Sequence, residues 1–137
     1  MAASLAGAVK AHIEAQSLGI AVFRDSAPDN TEYPYITILE DISTVPDGVF
    51  NAYDDPQGHV SELVQVDIWQ QSRNAAKVKV ESYTLPDAVM KALHGTLLPT
   101  APKQVSGCQV VSRTRLLEPE NNIVHTALTV QVRRVLV

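Results

Sequence analysis

The residues of this chain that could do chemistry are four histidines, one cysteine and two pairs of adjacent carboxylates. The histidines are His12, His59, His94 and His125. No two of them share a spacing that would set two metal ligands on one element, so the sequence predicts no metal site. Cys108 is the single cysteine, which excludes an intramolecular disulfide and a zinc site built from several cysteines.

Two catalytic arrangements can be tested against the pattern. If a turn near Glu120 closes a hairpin, Cys108 faces Val132 across the strands, and His125 is several residues too far away to activate the thiol. The carboxylates at 40–41 are neighbours in a strand and point to opposite faces, and those at 54–55 lie in a flexible loop. Neither pair is therefore arranged as a preorganised general acid and base. Phosphate loops and nucleophile elbows are absent. The sequence therefore predicts no enzyme and no cofactor.

Charge is distributed unevenly along the chain. Residues 1–67 hold 2 basic and 11 acidic side chains, net −9, whereas residues 68–137 hold 9 basic and 4 acidic side chains, net +5. Within one folded domain the two halves could neutralise each other. Alternatively, surfaces of opposite sign attract neighbouring copies and fix their register.

The densest basic feature lies near the C-terminus. It consists of Arg113, Arg115, Arg133 and Arg134. An approximate register with Arg115 opposite His125 places Arg113, Arg115 and Arg133 on the face of the hairpin away from the core. These arginines could form a solvated face, a subunit interface that meets the acidic half of a neighbour, or a nucleic-acid site. The sequence pI of about 5.5 and the lack of interleaved aromatic residues disfavour the last.

The elements that position these residues follow from periodicity and turn residues, and 137 residues fit one domain. The first predicted helix is capped by Ser4 and ends before Gly19, and it is followed by strands at 20–24, 35–39 and 60–69. A second helix is predicted from about Arg73, with Ala76, Val80 and Tyr83 on its buried side, and it continues from Pro86 to His94. The last predicted element is a hairpin of 105–117 and 123–136. Val64, Val66 and Ile68 should share the buried face of their strand. No apolar run is long enough to span a membrane.

An acidic segment at about 43–59 interrupts this pattern. It contains two prolines, two glycines and few apolar residues, and its candidate contact residues are Asp47, Phe50, Tyr53, Asp54 and Asp55. Loops of this length and composition tend to be functional or disordered. We therefore expect a mobile loop that becomes ordered on contact with a partner.

The C-terminal hairpin is unusually long. A strand of 13 residues spans about 43 Å, whereas strands of 5 or 6 residues are common. Either β-bulges interrupt the two strands within one sheet, or part of the hairpin projects beyond its own domain and seeks a partner. The sequence leaves both alternatives open.

The order of these motifs resembles the tail-terminator, or tail-completion, family of long-tailed bacteriophages, the family of minor tail protein U. The resemblance covers about 20–137 and rests on Tyr33-Pro34-Tyr35-Ile36-Thr37-Ile38, the acidic loop, Leu63-Val64-Gln65-Val66-Asp67-Ile68-Trp69, a helix closing with Ala92-Leu93-His94-Gly95, and the terminal hairpin. It implies one α+β domain over 1–137 in the order α-β-β-β-α-β-β. An antiparallel sheet would carry two helices on one face.

The resemblance also implies a function in the virion. Such proteins form a ring, most often of six subunits, that caps the tail tube, ends its polymerisation and joins the tail to the head or neck. Implied partners are further copies of the chain, the tail-tube protein and a head-completion or neck protein. Genome DNA passes through the lumen without specific binding, no membrane is involved, and assembly takes place in the host cytoplasm. Arg113→Glu or Arg133→Glu should then weaken ring formation.

Two rival functions stay open at this point. The chain could be another ring protein of the same particle, such as a connector or tail-tube subunit, and a tube subunit would stack into filaments. A small α+β enzyme or ligand-binding domain would instead need a deep pocket with converging polar groups.

Overall fold

The computed structural model describes residues 5–46, 59–73, 79, 81–95 and 105–135. Its elements are α1 (Leu5–Glu14), β1 (Ala21–Arg24), β2 (Tyr35–Pro46), β3 (His59–Gln71), α2 (Thr84–Leu93), β4 (Val105–Glu118) and β5 (Ile123–Val135). A single turn of 3₁₀ helix, Pro119–Asn121, connects β4 to β5. The predicted α+β class and the element order α-β-β-β-α-β-β are confirmed.

The five strands form one sheet in the order β1-β2-β3-β5-β4. Three of the four strand pairs are antiparallel, whereas β1 runs parallel to β2 from Ala21↔Tyr35 to Arg24↔Ile38. The sheet is therefore mixed. The connection 25–34 must return to the beginning of β2, and Asp25 and Asn30 turn the chain there with φ angles of 67° and 63°. These residue types adopt positive φ more readily than most.

One face of the sheet carries both helices and holds the core. Alternation in β3 and β5 turns the apolar side chains toward the helices. The most deeply buried of these residues are Val9 and Ile13 of α1, Ile36 and Ile38 of β2, Val64, Val66 and Ile68 of β3, Val89 and Leu93 of α2, and Leu128, Val130 and Val132 of β5. The predicted buried face of β3 is thus confirmed. The ring of His12 also joins the helices, because its Nε2 lies 2.9 Å from the carbonyl oxygen of Ala92.

The second helix begins later than the sequence pattern indicates. Arg73 and Lys79 form an isolated antiparallel bridge, α2 starts at Thr84, and Tyr83 is 54% exposed. Residues 74–78 and 80, including Ala76 and Val80, lie outside the described residues. The prediction of a helix from Arg73 to Tyr83 is wrong in the described part. Pro86 is accommodated in the first turn of α2, where a missing N–H costs nothing.

The carboxylate of Glu81 caps the beginning of α2. Its oxygens accept hydrogen bonds from the backbone N–H groups of Tyr83 and Thr84, the latter at 2.7 Å, and from the Thr84 hydroxyl at 2.7 Å. These hydrogen bonds lower the pKa of Glu81. The bond from the Thr84 side chain has the largest effect, followed by those from the Thr84 backbone and the Tyr83 backbone. This side chain satisfies donors that the first turn of a helix leaves without partners.

Glu81→Gln should lower the melting temperature at neutral pH, because the ionised carboxylate accepts these hydrogen bonds best. A lowered folded-state pKa gives stability that is present above the unfolded pKa and lost as pH falls through the folded value. The difference in melting temperature between the parent protein and this variant should therefore shrink below a pH of about 4. Thermal denaturation from pH 7 to pH 3 measures this difference. A gap that stays constant over this range contradicts the capping role.

Strand β2 is longer than its sequence pattern predicts. It continues to Pro46 with a bulge between Leu39 and Ser43, and β3 begins at His59. The acidic segment predicted at 43–59 is therefore shortened at its N-terminal end by strand pairing. Residues 47–58 lie outside the described residues, so the mobility of this loop stays a prediction.

The long hairpin is bulged and lies within the sheet. The β4–β5 register shifts between Val105 and Gly107 and again between Val110 and Ser112. Strand β5 also pairs with β3 from His59↔Val135 to Gln71↔Ile123, along its whole length. Of the two alternatives, the structure has the hairpin with bulges.

The C-terminal end of α2 covers part of the outer edge of β4. Gly95, which has a φ of 75° that suits glycine, donates its N–H to the Cys108 carbonyl at 2.8 Å. The N–H of Val110 donates to Nδ1 of His94 at 3.2 Å. Two backbone groups at the edge of the sheet therefore have partners from residues 94–95.

Cys108 is buried opposite Val132, as the sequence predicted. Burial raises the pKa of its thiol to about 11. Because the thiolate is the reactive form, labelling by a maleimide at pH 8 should be slow in the folded protein and fast in urea. Mass spectrometry over time measures the two rates, and rapid labelling without urea contradicts this burial.

Candidate functional site

The bulge in β4 determines which way its arginines point. After the shift between Val110 and Ser112, Arg113 lies opposite Leu128 and Arg115 opposite Thr126, while Leu116 faces His125. Leu128 and Thr126 belong to the helix-bearing face. The prediction that Arg113 and Arg115 share the open face with His125 is therefore wrong, because one extra residue turns every following side chain to the other side of a sheet.

Arg113 is bound within its own subunit. Its guanidinium Nη1 lies 2.6 Å from Oδ1 of Asp87 in α2 and 3.3 Å from Sδ of Met90. The ion pair joins the first turn of α2 to β4. Because Asp87 already neutralises it, Arg113 is poorly suited to pair with a carboxylate of another molecule, and Arg113→Glu would repel Asp87 inside the subunit.

Arg115 lies one residue pair further along the same face. Its guanidinium Nη2 donates a hydrogen bond to Oγ of Ser82 at 2.8 Å, and its guanidinium carbon lies 4.8 Å from the centre of the Tyr83 ring. These contacts hold the guanidinium over the aromatic face. In the described part of the chain, the buried Nε of Arg115 has no hydrogen-bond partner, and the same holds for Thr126 Oγ1 and Gln70 Oε1.

A cavity of about 370 Å³ opens beside Arg115. Its lining residues, here named the basic pocket, are Ser72, Arg73, Lys79, Ser82, Arg115, Leu117, Asn122 and Ile123. Three of these side chains are cationic, three are neutral and polar, two are apolar, and none is a carboxylate. Such a lining suits a carboxylate or another oxyanion that carries apolar groups beside it.

The other predicted site residues lie elsewhere. Arg133 and Arg134 pair with Ser61 and Val60 of β3, seven or more positions along β5 from the partner of Arg115. That distance is about 23 Å, so the structure does not bring the four arginines together. The predicted loop residues Asp47, Phe50, Tyr53, Asp54 and Asp55 lie outside the described residues.

The face of the sheet away from the helices carries a row of aromatic rings. Tyr35, Trp69 and His125 lie on adjacent strands in register. The centres of the Tyr35 and Trp69 rings are 6.2 Å apart, and the Trp69 and His125 rings stack at 3.9 Å with an interplanar angle of 8°. Leu116, next in the row, is 49% exposed. The row spans four strands of the described sheet.

A hydrogen-bonded carboxylate lies beneath this row. Asp67 is only 4% exposed, and its Oδ1 lies 2.6 Å from Nε2 of His125. The amide of Gln65 donates to both oxygens of Asp67, at 2.8 and 3.0 Å. Sequence reasoning missed this pair, although both residues alternate onto the non-core face of their strands. Finding it requires knowing that β3 and β5 are neighbours.

The side chains considered for catalysis or metal binding do not come together in the described part of the chain. Cys108 lies on the helix face and His125 on the open face, so this thiol and this imidazole cannot act together. Among the described residues, no three metal-binding side chains come together. Neither helix in the described ranges is long and apolar enough to cross a membrane. The fold and these surfaces define a small α+β domain with two candidate binding surfaces, the basic pocket and the aromatic row, at the hairpin end of its sheet.

Comparisons with known proteins identify the family. The model of the family described as "Tail completion protein gp17" matches residues 2–134. The chain belongs to this family, as the resemblance indicated, and is thus a structural tail protein.

Among solved structures, a chain of the "Virion of native gene transfer agent (GTA) particle" is similar, with a TM-score of 0.72 and 16% identity over 96% of this chain and 95% of that chain. At this identity the likeness shows the fold alone. A search of curated protein sequences found no match.

Proposed function

We propose that the chain forms a closed ring, six subunits being the expected number, that caps the tail tube, ends its polymerisation and joins the tail to the head or neck. Membership of the tail completion family carries this proposal. The similar chain is described as part of a virion, which agrees with a role in such a particle.

The surfaces of the subunit support assembly with neighbours. Strand β4 is an outer strand of the described sheet, and beyond Val110 its side chains include the exposed Val111, Leu116 and Leu117. Large apolar side chains on an outer strand favour contact with another protein. The uneven distribution of charge along the sequence gives identical copies a reason to associate through unlike surfaces.

The acidic segment gives the ring a second contact. In this proposal, Asp47, Phe50, Tyr53, Asp54 and Asp55 contact an adjoining ring, either the last tier of the tail tube or the neck protein. Genome DNA passes through the lumen without being read. The net charge of −4 agrees with a lumen that does not hold DNA by its phosphates.

Assembly on tail tubes tests the proposed function. The purified chain should form one ring of defined mass, and electron microscopy should show it at one end of tubes whose growth then stops. Native mass spectrometry gives the subunit number. Long filaments of the chain alone would assign it to the tube instead, and a monomer that leaves tube growth unchanged would contradict the proposal. Equal hydrogen exchange of residues 43–59 before and after docking would exclude a contact through this segment.

A further inference from the structure

We infer that the basic pocket receives the carboxylates of Asp29 and Glu32 from an adjacent copy of the chain, in a head-to-tail contact between unlike edges of the sheet. This inference rests on the proposed ring. Of the four arginines predicted for the subunit interface it keeps Arg115 alone, and it adds Lys79.

The pocket has the electrostatics of a site that is completed from outside. Arg115 is held in place by Ser82 and Tyr83, which are both neutral, and Lys79 is exposed. Of the residues that line the pocket, Arg115 has a buried Nε without a hydrogen-bond partner in the described part of the chain. A buried polar atom without a hydrogen bond is costly. The lining has three cationic side chains and no carboxylate, so an incoming carboxylate meets donors and opposite charge there.

An acidic surface lies at the other edge of the same sheet. Asp25, Asp29 and Glu32 are all exposed in the connection between β1 and β2, and β1 is the outer strand there. In the described part of the chain, Asp29 and Glu32 form no ion pair. Their carboxylates are therefore available to cations of another molecule.

The strand register places both surfaces at the same end of the sheet. Leu116 faces His125, His125 faces Trp69, and Trp69 faces Tyr35. Glu32 precedes Tyr35 by three residues, and Arg115 and Leu117 flank Leu116. Three strand spacings, about 14 Å, separate β2 from β4, which leaves room for the acidic surface and the pocket of one copy to contact different neighbours.

This geometry suits a ring. A contact between two different surfaces of identical subunits repeats around an axis and closes if the rotation allows. Each subunit then supplies its pocket to one neighbour and its carboxylates to the other. The apolar side chains of Leu117 and Ile123 in the pocket reduce access of water to the ion pairs, which strengthens them.

Charge reversal tests the contact. Lys79→Glu with Arg115→Glu makes the pocket acidic, and Asp29→Lys with Glu32→Lys makes the opposite edge basic. Each double variant alone should form rings at least about tenfold more weakly, because like charges then meet. An equimolar mixture should restore assembly, since every alternating contact pairs opposite charges. Lys91→Glu, an exposed charge reversal on α2 outside the pocket, is the control and should assemble normally.

Mass photometry across a concentration series measures the ring fraction, and circular dichroism confirms that each variant is folded. Lys79→Glu alone is a second pocket variant for the case in which Arg115→Glu prevents folding, because Lys79 has an exposed side chain in this structure. Unchanged ring formation by both double variants would overturn the inference and leave the ring itself in place. Failure of the mixture to assemble would remove Asp29 and Glu32 as the partners. Loss of binding to duplex DNA by the pocket variant, with rings intact, would assign the pocket to phosphates and also overturn the inference.

Discussion

Leu128→Ala is expected to lower the free energy of unfolding by about 2–5 kcal/mol, the largest loss that we expect from one substitution in this chain. Leu128 is fully buried and lies in β5 between Val66 of β3 and Arg113 of β4. Removing three carbons there leaves a cavity that neighbouring strands, held by backbone hydrogen bonds on both sides, cannot readily fill. Urea denaturation followed by circular dichroism measures the change.

Thr129→Ala is the matched control, because Thr129 follows Leu128 and lies on the open face. This variant should lose less than about 1 kcal/mol of the free energy of unfolding, as is common for substitutions outside a core. Similar losses for the two variants would contradict the assignment of the two faces of β5.

Asp67→Ala is expected to lower the free energy of unfolding by about 1–3 kcal/mol, the usual cost of leaving buried polar partners unsatisfied. His125 and Gln65 both lose their acceptor. The chain has a single tryptophan, and the Trp69 ring stacks on His125. Its fluorescence emission should therefore change in the folded variant as well.

Glu120→Ala removes an exposed carboxylate from the turn between β4 and β5 and serves as the comparison for Asp67→Ala. It should leave both the midpoint of urea denaturation and the Trp69 emission nearly unchanged. If Asp67→Ala behaves in the same way, the carboxylate does not hold the His125 ring against Trp69.

Much of the fold could be predicted because local patterns agree with the global structure. The alternation of Val64, Val66 and Ile68 identified a half-buried strand, and the turn formers between Glu118 and Asn122 identified the hairpin. The helix ending before Gly95 was also predicted correctly. At each of these places the residue type and the backbone conformation that it favours coincide.

The features that could not be predicted depend on contacts between distant segments. The bulge at Val110–Ser112 leaves no mark on the sequence, because it contains no glycine or proline, the residues that commonly indicate an irregular strand. Its consequence was large, since it moved Arg113 and Arg115 to the helix face. The helical spacing of Ala76, Val80 and Tyr83 indicated a helix, yet Tyr83 is exposed and precedes the helix.

The candidate site was predicted only in part. Arg115 was identified from its position in a basic cluster. Lys79 and Ser82, which come before α2, and Asn122, in the turn before β5, became members of the basic pocket only through the folded structure. Asp87, the partner of Arg113, was not identified either. A sequence shows which charges exist, but their neutralisation inside the subunit depends on packing.

The cover that residues 94–95 place on β4 has a consequence for growth of the sheet. Cys108 and Val110 already use outward backbone groups in hydrogen bonds to Gly95 and His94. Beyond these two residues toward the hairpin turn, the edge of β4 open to a strand from another molecule runs from Val111 to Glu118, a length of about 26 Å. Short, partly covered edges restrict uncontrolled aggregation. The end of the second helix thus restricts where along β4, and over what length, two molecules could share a sheet.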